Sequence, residues 1–329
     1  MTLTLADLYA SPDHYLHSFD GDTAVFVPMD RAAYHRSIFL DARISPAEDG
    51  ALRVPVTALT GAVPAPSPTG WIMHVAHCGS TLLARALDDA DPDANLVLRE
   101  PQALRQLAFA PPDDRLALTT AMLSKRYHRD APTIVKGNVP TNFLLPRIGA
   151  AAPAAAMILL YLPLRDYLLA ILRSDNHRTW LRTVTTQLGK HVGEAIGVAP
   201  NASDAERAAA LWLAQMQLYA DAARTMTNVR SLDAEAFFAD PTTVLTAAAA
   251  HLGVPLSPRA IEARVAGPLF ATYSKNPALS FGNADRLARR ADAARALSAD
   301  LDEADRWIAA RETVASSALA ALAAVPLAL

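Results

Sequence analysis

The apolar residues of this chain fall into two patterns: short unbroken runs, and longer stretches where they recur every three or four positions. Gly70 to Val75, Leu96-Val97-Leu98, Thr133-Ile134-Val135 and Ala156 to Tyr161 are runs of the first kind. Each predicts a strand buried on both faces. Leu82, Leu83, Ala86 and Leu87 predict a helix directly after the first run. Two helices follow the second run, the later one entered through Pro111-Pro112-Asp113, and Arg165 to Arg173 predicts the helix after the fourth. Strand–helix alternation of this kind predicts a parallel sheet covered on both faces.

The flanks differ from this centre. Residues 1–66 alternate short apolar runs with turns, and Thr23 to Pro28 and Ser37 to Ile44 predict strands of a small N-terminal extension. A Pro/Ser-rich linker, Val63 to Pro68, joins it to the main unit of residues 67–329. Asp88 to Asp93 predicts a break after the first helix. Further on, Ser203-Asp204-Ala205-Glu206 reads as a capping box opening a long helix to about Thr225. Val229 to Leu232 predicts another strand, and Asp240-Pro241 opens a helix closed by Gly253. Thr272 to Pro277 reads as a loop before terminal helices, with Thr313 to Leu329 an Ala-rich packed helix. The expected fold is α/β: a three-layer, P-loop-type parallel sheet flanked by helices, with a β-rich N-terminal extension and a helical C-terminal part.

Composition narrows the function classes. A net charge of −3 over 329 residues supplies no electrostatic footprint for nucleic acid. The single cysteine, Cys78, excludes internal disulfides and fits a reducing, cytoplasmic compartment. Met1 to Asp7 lacks the basic and apolar regions of a signal peptide. The apolar stretch from Ile148 to Leu164 is too short and too broken by prolines to span a bilayer.

The chemistry concentrates where the first strand turns into its helix, at His77-Cys78-Gly79-Ser80-Thr81. Strand, tight polar turn and helix converge backbone N–H groups on an anion, and the hydroxyls of Ser80 and Thr81 add donors. A nucleoside-triphosphate loop carries a lysine in this place, and no lysine stands between Ala76 and Arg85. A cysteine phosphatase loop needs five residues between Cys and Arg, whereas six separate Cys78 from Arg85. His74, His77 and Cys78 lack the further ligands of a metal site. Glu100, Lys136 and Arg165 all follow strand ends, where open parallel sheets bind ligands.

This loop, with Leu98-Arg99-Glu100-Pro101 downstream, resembles the bacterial branch of the sulfotransferases that use 3′-phosphoadenosine 5′-phosphosulfate (PAPS). The resemblance covers roughly residues 70 to 290, including His251-Leu252-Gly253-Val254-Pro255 in a late strand–helix unit. It implies transfer of a sulfuryl group from PAPS, without a metal, to a hydroxyl or amine of a small-molecule, saccharide or peptide acceptor. His77, Cys78, Gly79, Ser80 and Thr81 would hold the 5′-phosphosulfate. His77, if protonated, would act as a general acid; Glu100, its pKa raised by burial, would be the general base; Lys136 would contact donor or acceptor. The family's Arg and Ser for the 3′-phosphate correspond here to Leu162 and Ala170, so Arg165, Arg173, Ser174, Arg178 or Lys275 would have to substitute. The alternative expectation is a non-catalytic or altered-donor binding protein on this fold, with a nucleotide kinase a third reading.

Overall fold

The computed structural model describes residues 3–61, 63–88, 95–192 and 198–329, so most of the break predicted from Asp88 to Asp93 lies outside the described residues. At the N-terminus, β1 (His14–Asp20) and β2 (Thr23–Pro28) form a hairpin whose turn uses Gly21 at φ +52°, and β3 (Leu52–Pro55) adds antiparallel to β2. Ser37 to Ile44 is not the expected strand. Its first two carbonyls are taken by a side chain instead: the fully buried Arg99 donates to the oxygens of Ser37 (2.6 Å) and Ile38 (3.3 Å), and to that of Tyr34 (2.6 Å) just before the segment. The same guanidinium pairs with buried Asp88 at 2.7 Å.

The main unit is a five-stranded sheet of β4 (Thr69–His74), β5 (Leu96–Arg99), β6 (Thr133–Lys136), β7 (Met157–Tyr161) and β8 (Val229–Asp233), in the order β5-β6-β4-β7-β8. All four pairings are parallel. The strands are almost wholly buried, as their unbroken apolar runs require. The chain leaves β4 toward β5 and β6 on one side and later builds β7 and β8 on the other. Such a reversal opens a crevice at the carboxyl end of the central strand.

Helix α1 (Ser80–Leu87) follows β4, α2 (Gln102–Leu107) follows β5, and α3 (Leu164–Ile171) follows β7. After α4 (Asp175–Val192) comes the 22-residue α5 (Asp204–Thr225), opened by the expected capping box: the Glu206 amide donates to Ser203 Oγ and the Ser203 amide to Glu206 Oε2. The short α6 (Ala234–Ala239) leaves β8, and the next helix, Pro241–Leu252, ends at Gly253 with φ +71°. Thr272 to Ser280 is a small hairpin of β9 (Thr272–Tyr273) and β10 (Asn276–Ser280) where a loop was expected, and α7 (Asn283–Ala296) follows it. The Ala-rich terminal helix, Glu312–Ala323, packs on α5, and the segment after it bonds the edge of β8 through Ser231. No helix among the described residues is long and apolar enough to cross a membrane.

Candidate functional site

The β4–α1 turn has the form its sequence predicts. Gly79 stands at φ +82°, and a Cβ there would meet Phe238 Cζ at 2.6 Å, so both backbone conformation and space demand glycine. His77 also adopts a positive φ, +62°, an uncommon conformation for a residue with a side chain. Among the described residues, none of the backbone N–H groups from His77 to Leu82 donates to a backbone carbonyl. They form an open cluster at the start of α1. Cys78 contributes backbone only. Its buried thiol donates to Val75 O at 2.9 Å, and burial raises its pKa to about 11, where the helix N-terminus alone would lower it.

Two charged side chains meet at the adjacent strand ends. Arg99 and Lys136 are register partners in β5 and β6, and the Glu100 amide donates to Lys136 O at 2.8 Å. Glu100, at φ +57°, thereby turns its carboxylate onto Lys136 Nζ at 2.5 Å. The lysine is 0 % exposed and the glutamate 16 %. Glu100 is therefore not the raised carboxylate expected. Burial acts upward, but the Lys136 ammonium, the neighbouring His74 and the hydrogen bond from Lys136 outweigh it and hold the group at about 2. Lys136 does not line the cavity itself and reaches it through Glu100. Below the pair, His74 lies between the carbonyls of Val75 and Gly137, each 2.8 Å from a ring nitrogen. Burial and Lys136 depress it to about 3, so the ring is neutral at pH 7 and satisfies only one of them.

These groups open into a cavity of about 930 Å³. Seven arginine and lysine side chains but only four carboxylates line it, an excess of cations in a chain whose net charge is −3. The N-terminal segment forms one wall, since Leu40 N donates to Arg99 O (2.7 Å) and Gln102 N to Leu40 O (3.2 Å). That places Phe39, Asp41 and Arg43 beside Glu100, with Arg43 3.9 Å from its carboxylate. Across the cavity, His177 of α4 stacks on His77 with ring centroids 4.1 Å apart. His77 is partly exposed beneath it, and desolvation of the ring, Lys275, His177 and Arg173 all push its pKa well below the ordinary value. The expected imidazolium is thus a neutral imidazole in the protein alone.

The remaining predicted residues divide by position. Lys275, in the β9–β10 turn, lines the cavity, as does Arg173. Arg165 is exposed in the first turn of α3, and Ser174 accepts the His177 amide (3.4 Å) at the start of α4; neither faces the cavity. Arg178 is engaged by Asp204 and Asp300. Leu162 is buried, and its carbonyl accepts from Trp212 Nε1 (2.9 Å). Sequence reasoning missed five cavity cations: Arg43 in the N-terminal extension, Arg105 on α2, and three on α7. Arg286 pairs in two-pronged fashion with Glu235 (2.6 and 3.0 Å), and Arg290 bridges Glu235 (3.1 Å) and Asp166 (2.5 Å). Arg289 lies over Phe281 at 4.6 Å and has no carboxylate partner among the described residues. The only sequence signal for the three on α7 was the charge run Asp285 to Arg290, which equally fits a solvated helix face.

No protein-family model and no curated protein matches the chain. Among solved structures, the chain is similar to the "Sulfotransferase Domain from the Curacin Biosynthetic Pathway" with 13 % identity and a TM-score of 0.42, covering 71 % of this chain and 98 % of that one. It is also similar to a sulfotransferase from Alicyclobacillus acidocaldarius, with 18 % identity, a TM-score of 0.37, and coverage of 72 % and 95 %. At these TM-scores the likeness carries no argument of its own.

Proposed function

We propose that the protein transfers a sulfuryl group from PAPS to a hydroxyl compound. The observation that carries this reading is the meeting, in one cation-lined cavity, of an open amide cluster with an ionised carboxylate held on a buried lysine. The residues fit a donor carrying phosphate at two places. The N–H groups of 77–82 with the Ser80 and Thr81 hydroxyls would take the 5′-phosphosulfate, with Lys275 nearby. Arg173 and Arg289, neither paired with a carboxylate among the described residues, would supply the charge that Leu162 and Ala170 do not. The donor's own chemistry is an activated sulfuryl group whose S–O bond to phosphate breaks as the acceptor oxygen attacks sulfur.

The chain's part is positioning and proton handling. Glu100 accepts the acceptor's hydroxyl proton, and Lys136 fixes the carboxylate's orientation and keeps it ionised. A carboxylate held near 2 is a weak base, so the proton moves late, as the oxygen becomes acidic on bonding to sulfur. His77, kept neutral first by desolvation and then by Lys275, His177 and Arg173, can still turn a ring N–H toward the charge developing on the departing phosphate oxygen. The test is formation of 3′-phosphoadenosine 5′-phosphate (PAP) from PAPS by the purified protein. PAP should appear only with a hydroxyl acceptor present and should vanish in Glu100→Gln. Equal PAP formation by that variant would remove Glu100 from the chemistry, whereas no PAP formation by the wild-type protein with any hydroxyl acceptor would leave the binding-protein reading.

A further inference from the structure

The acceptor end of the cavity has its own charge balance. Four segments build it: 39–43 from the N-terminal extension, Glu100 with the start of α2, Asn138-Val139-Pro140 after β6, and the β9–β10 turn. Its apolar wall is Phe39, Val139 and Pro140. Glu100 is neutralised by Lys136, and Asp41 by Arg43, whose Nε and Nη2 meet the two carboxylate oxygens at 2.8 and 2.5 Å. Arg105 stands apart. It lines the cavity from α2, its guanidinium lies 5.3 Å from the Phe109 ring, and no carboxylate among the described residues pairs with it. Gln102 and Arg105 are three residues apart on α2 and share a face of that helix, about 4.5 Å along its axis.

We infer that the acceptor is a hydroxylated carboxylic acid, its carboxylate received by Arg105 while its hydroxyl meets Glu100 and its apolar body lies along Phe39. The inference rests on the sulfuryl-transfer reading and deepens it. With Glu100 and Asp41 already matched, and Lys275 taken by the donor's 5′-phosphosulfate, Arg105 is the guanidinium left on this side, so a single negative charge on the acceptor completes the balance. A planar guanidinium fork suits a carboxylate in two-pronged contact. The path along the rim from Glu100 to Arg105 sets roughly 5–10 Å between reacting hydroxyl and acid, one to two turns of helix. A cationic acceptor would face Arg43, Arg105 and Lys275 together, so amines are disfavoured.

The experiment titrates the full-length protein, saturated with PAP, with 4-hydroxyphenylacetate, its methyl ester and tyramine, and repeats the set with 4-hydroxyphenylpropionate. The acids should bind about tenfold or more tightly than their esters, with the amine weakest. That advantage should shrink to about twofold in Arg105→Gln and partly return in Arg105→Lys. Acids binding no tighter than their esters would overturn the inference. So would a tenfold loss of PAP affinity in Arg105→Gln, which would assign this arginine to the donor. Failure of PAP to bind the wild-type protein strikes the sulfuryl-donor reading instead, so the two failures are distinguishable.

Discussion

The carboxyl ends of β4, β5 and β6 and the carboxyl end of β7 face the same cavity with opposite character. On the first side, consecutive residues supply the machinery: the open amides of 77–82, Glu100 one residue past β5, and Lys136 as the last residue of β6. On the second, Leu162 is buried with its carbonyl given to Trp212, and the Ala170 carbonyl lies 3.1 Å from His177 Nδ1. Positive charge on that side comes from Arg173 beyond α3 and from Arg289, more than a hundred residues later. The difference shows that a backbone-built anion site stays tied to its strand–turn–helix, whereas a site built from long charged side chains can draw them from any element that borders the cavity.

The largest effect should come from the first side. Glu100→Gln should lower sulfuryl transfer by roughly 10²–10⁴-fold, the range of a general base. PAP affinity, measured on the same preparation by calorimetry, should stay within about threefold. A parallel loss of PAP affinity would show that Glu100 shapes the donor site and would blur the division. Gly79→Ala acts on the amide cluster itself. Its Cβ would both meet Phe238 at 2.6 Å and require a strained φ, so stability should drop by about 2–4 kcal/mol in urea unfolding and PAP binding by tenfold or more.

Acidity tests the ion pair. Glu100 is depressed to about 2, so the stability it contributes is complete above its unfolded value of about 4.3 and is lost as pH falls toward 2. His74, depressed to about 3, contributes stability complete above about 6.5 and lost as pH falls toward 3. The urea midpoint should therefore decline from near pH 6.5 downward, and Glu100 alone should account for up to about 3 kcal/mol of the lower part. In Glu100→Gln the fall should flatten below about pH 4.3. An unchanged profile would mean the carboxylate is not held down by Lys136.

Much of this was legible in the sequence, for a physical reason. Parallel strands buried on both faces must be apolar throughout, so β4 to β7 announce themselves, and the capping box at Ser203 and the Gly253 stop are local signals. The anion loop is a continuous run and could be read directly. The misreadings arose where tertiary partners decide. Ser37 to Ile44 has a strand pattern, but Arg99 takes the carbonyls of Ser37 and Ile38, and the Gln102 amide takes that of Leu40. Glu100 was given the wrong pKa direction, and the charge of His77 stayed conditional, because Lys136, Lys275, Arg173 and His177 come from distant segments. Arg286, Arg289 and Arg290 gave no signal apart from charge, because only the packing of α7 on the cavity gives them a role.

The second side makes the smaller predictions. Arg289→Ala and Arg173→Ala should each weaken PAP by about tenfold and 5′-AMP by twofold or less, the expected signature of a lost charge-assisted contact to the 3′-phosphate. Arg165→Ala and Ser174→Ala, which lie off the cavity, should change PAP affinity by less than about twofold. If Arg165→Ala matched Arg289→Ala, the charge on the β7 side would be local after all.

The most direct measurement is calorimetric titration of the wild-type protein with PAP, 5′-AMP and ATP side by side. Two separated anion sites in one cavity predict micromolar PAP binding that weakens at least tenfold for 5′-AMP and is not matched by ATP. A preference for ATP, or no binding of PAP, would contradict the sulfuryl-donor assignment.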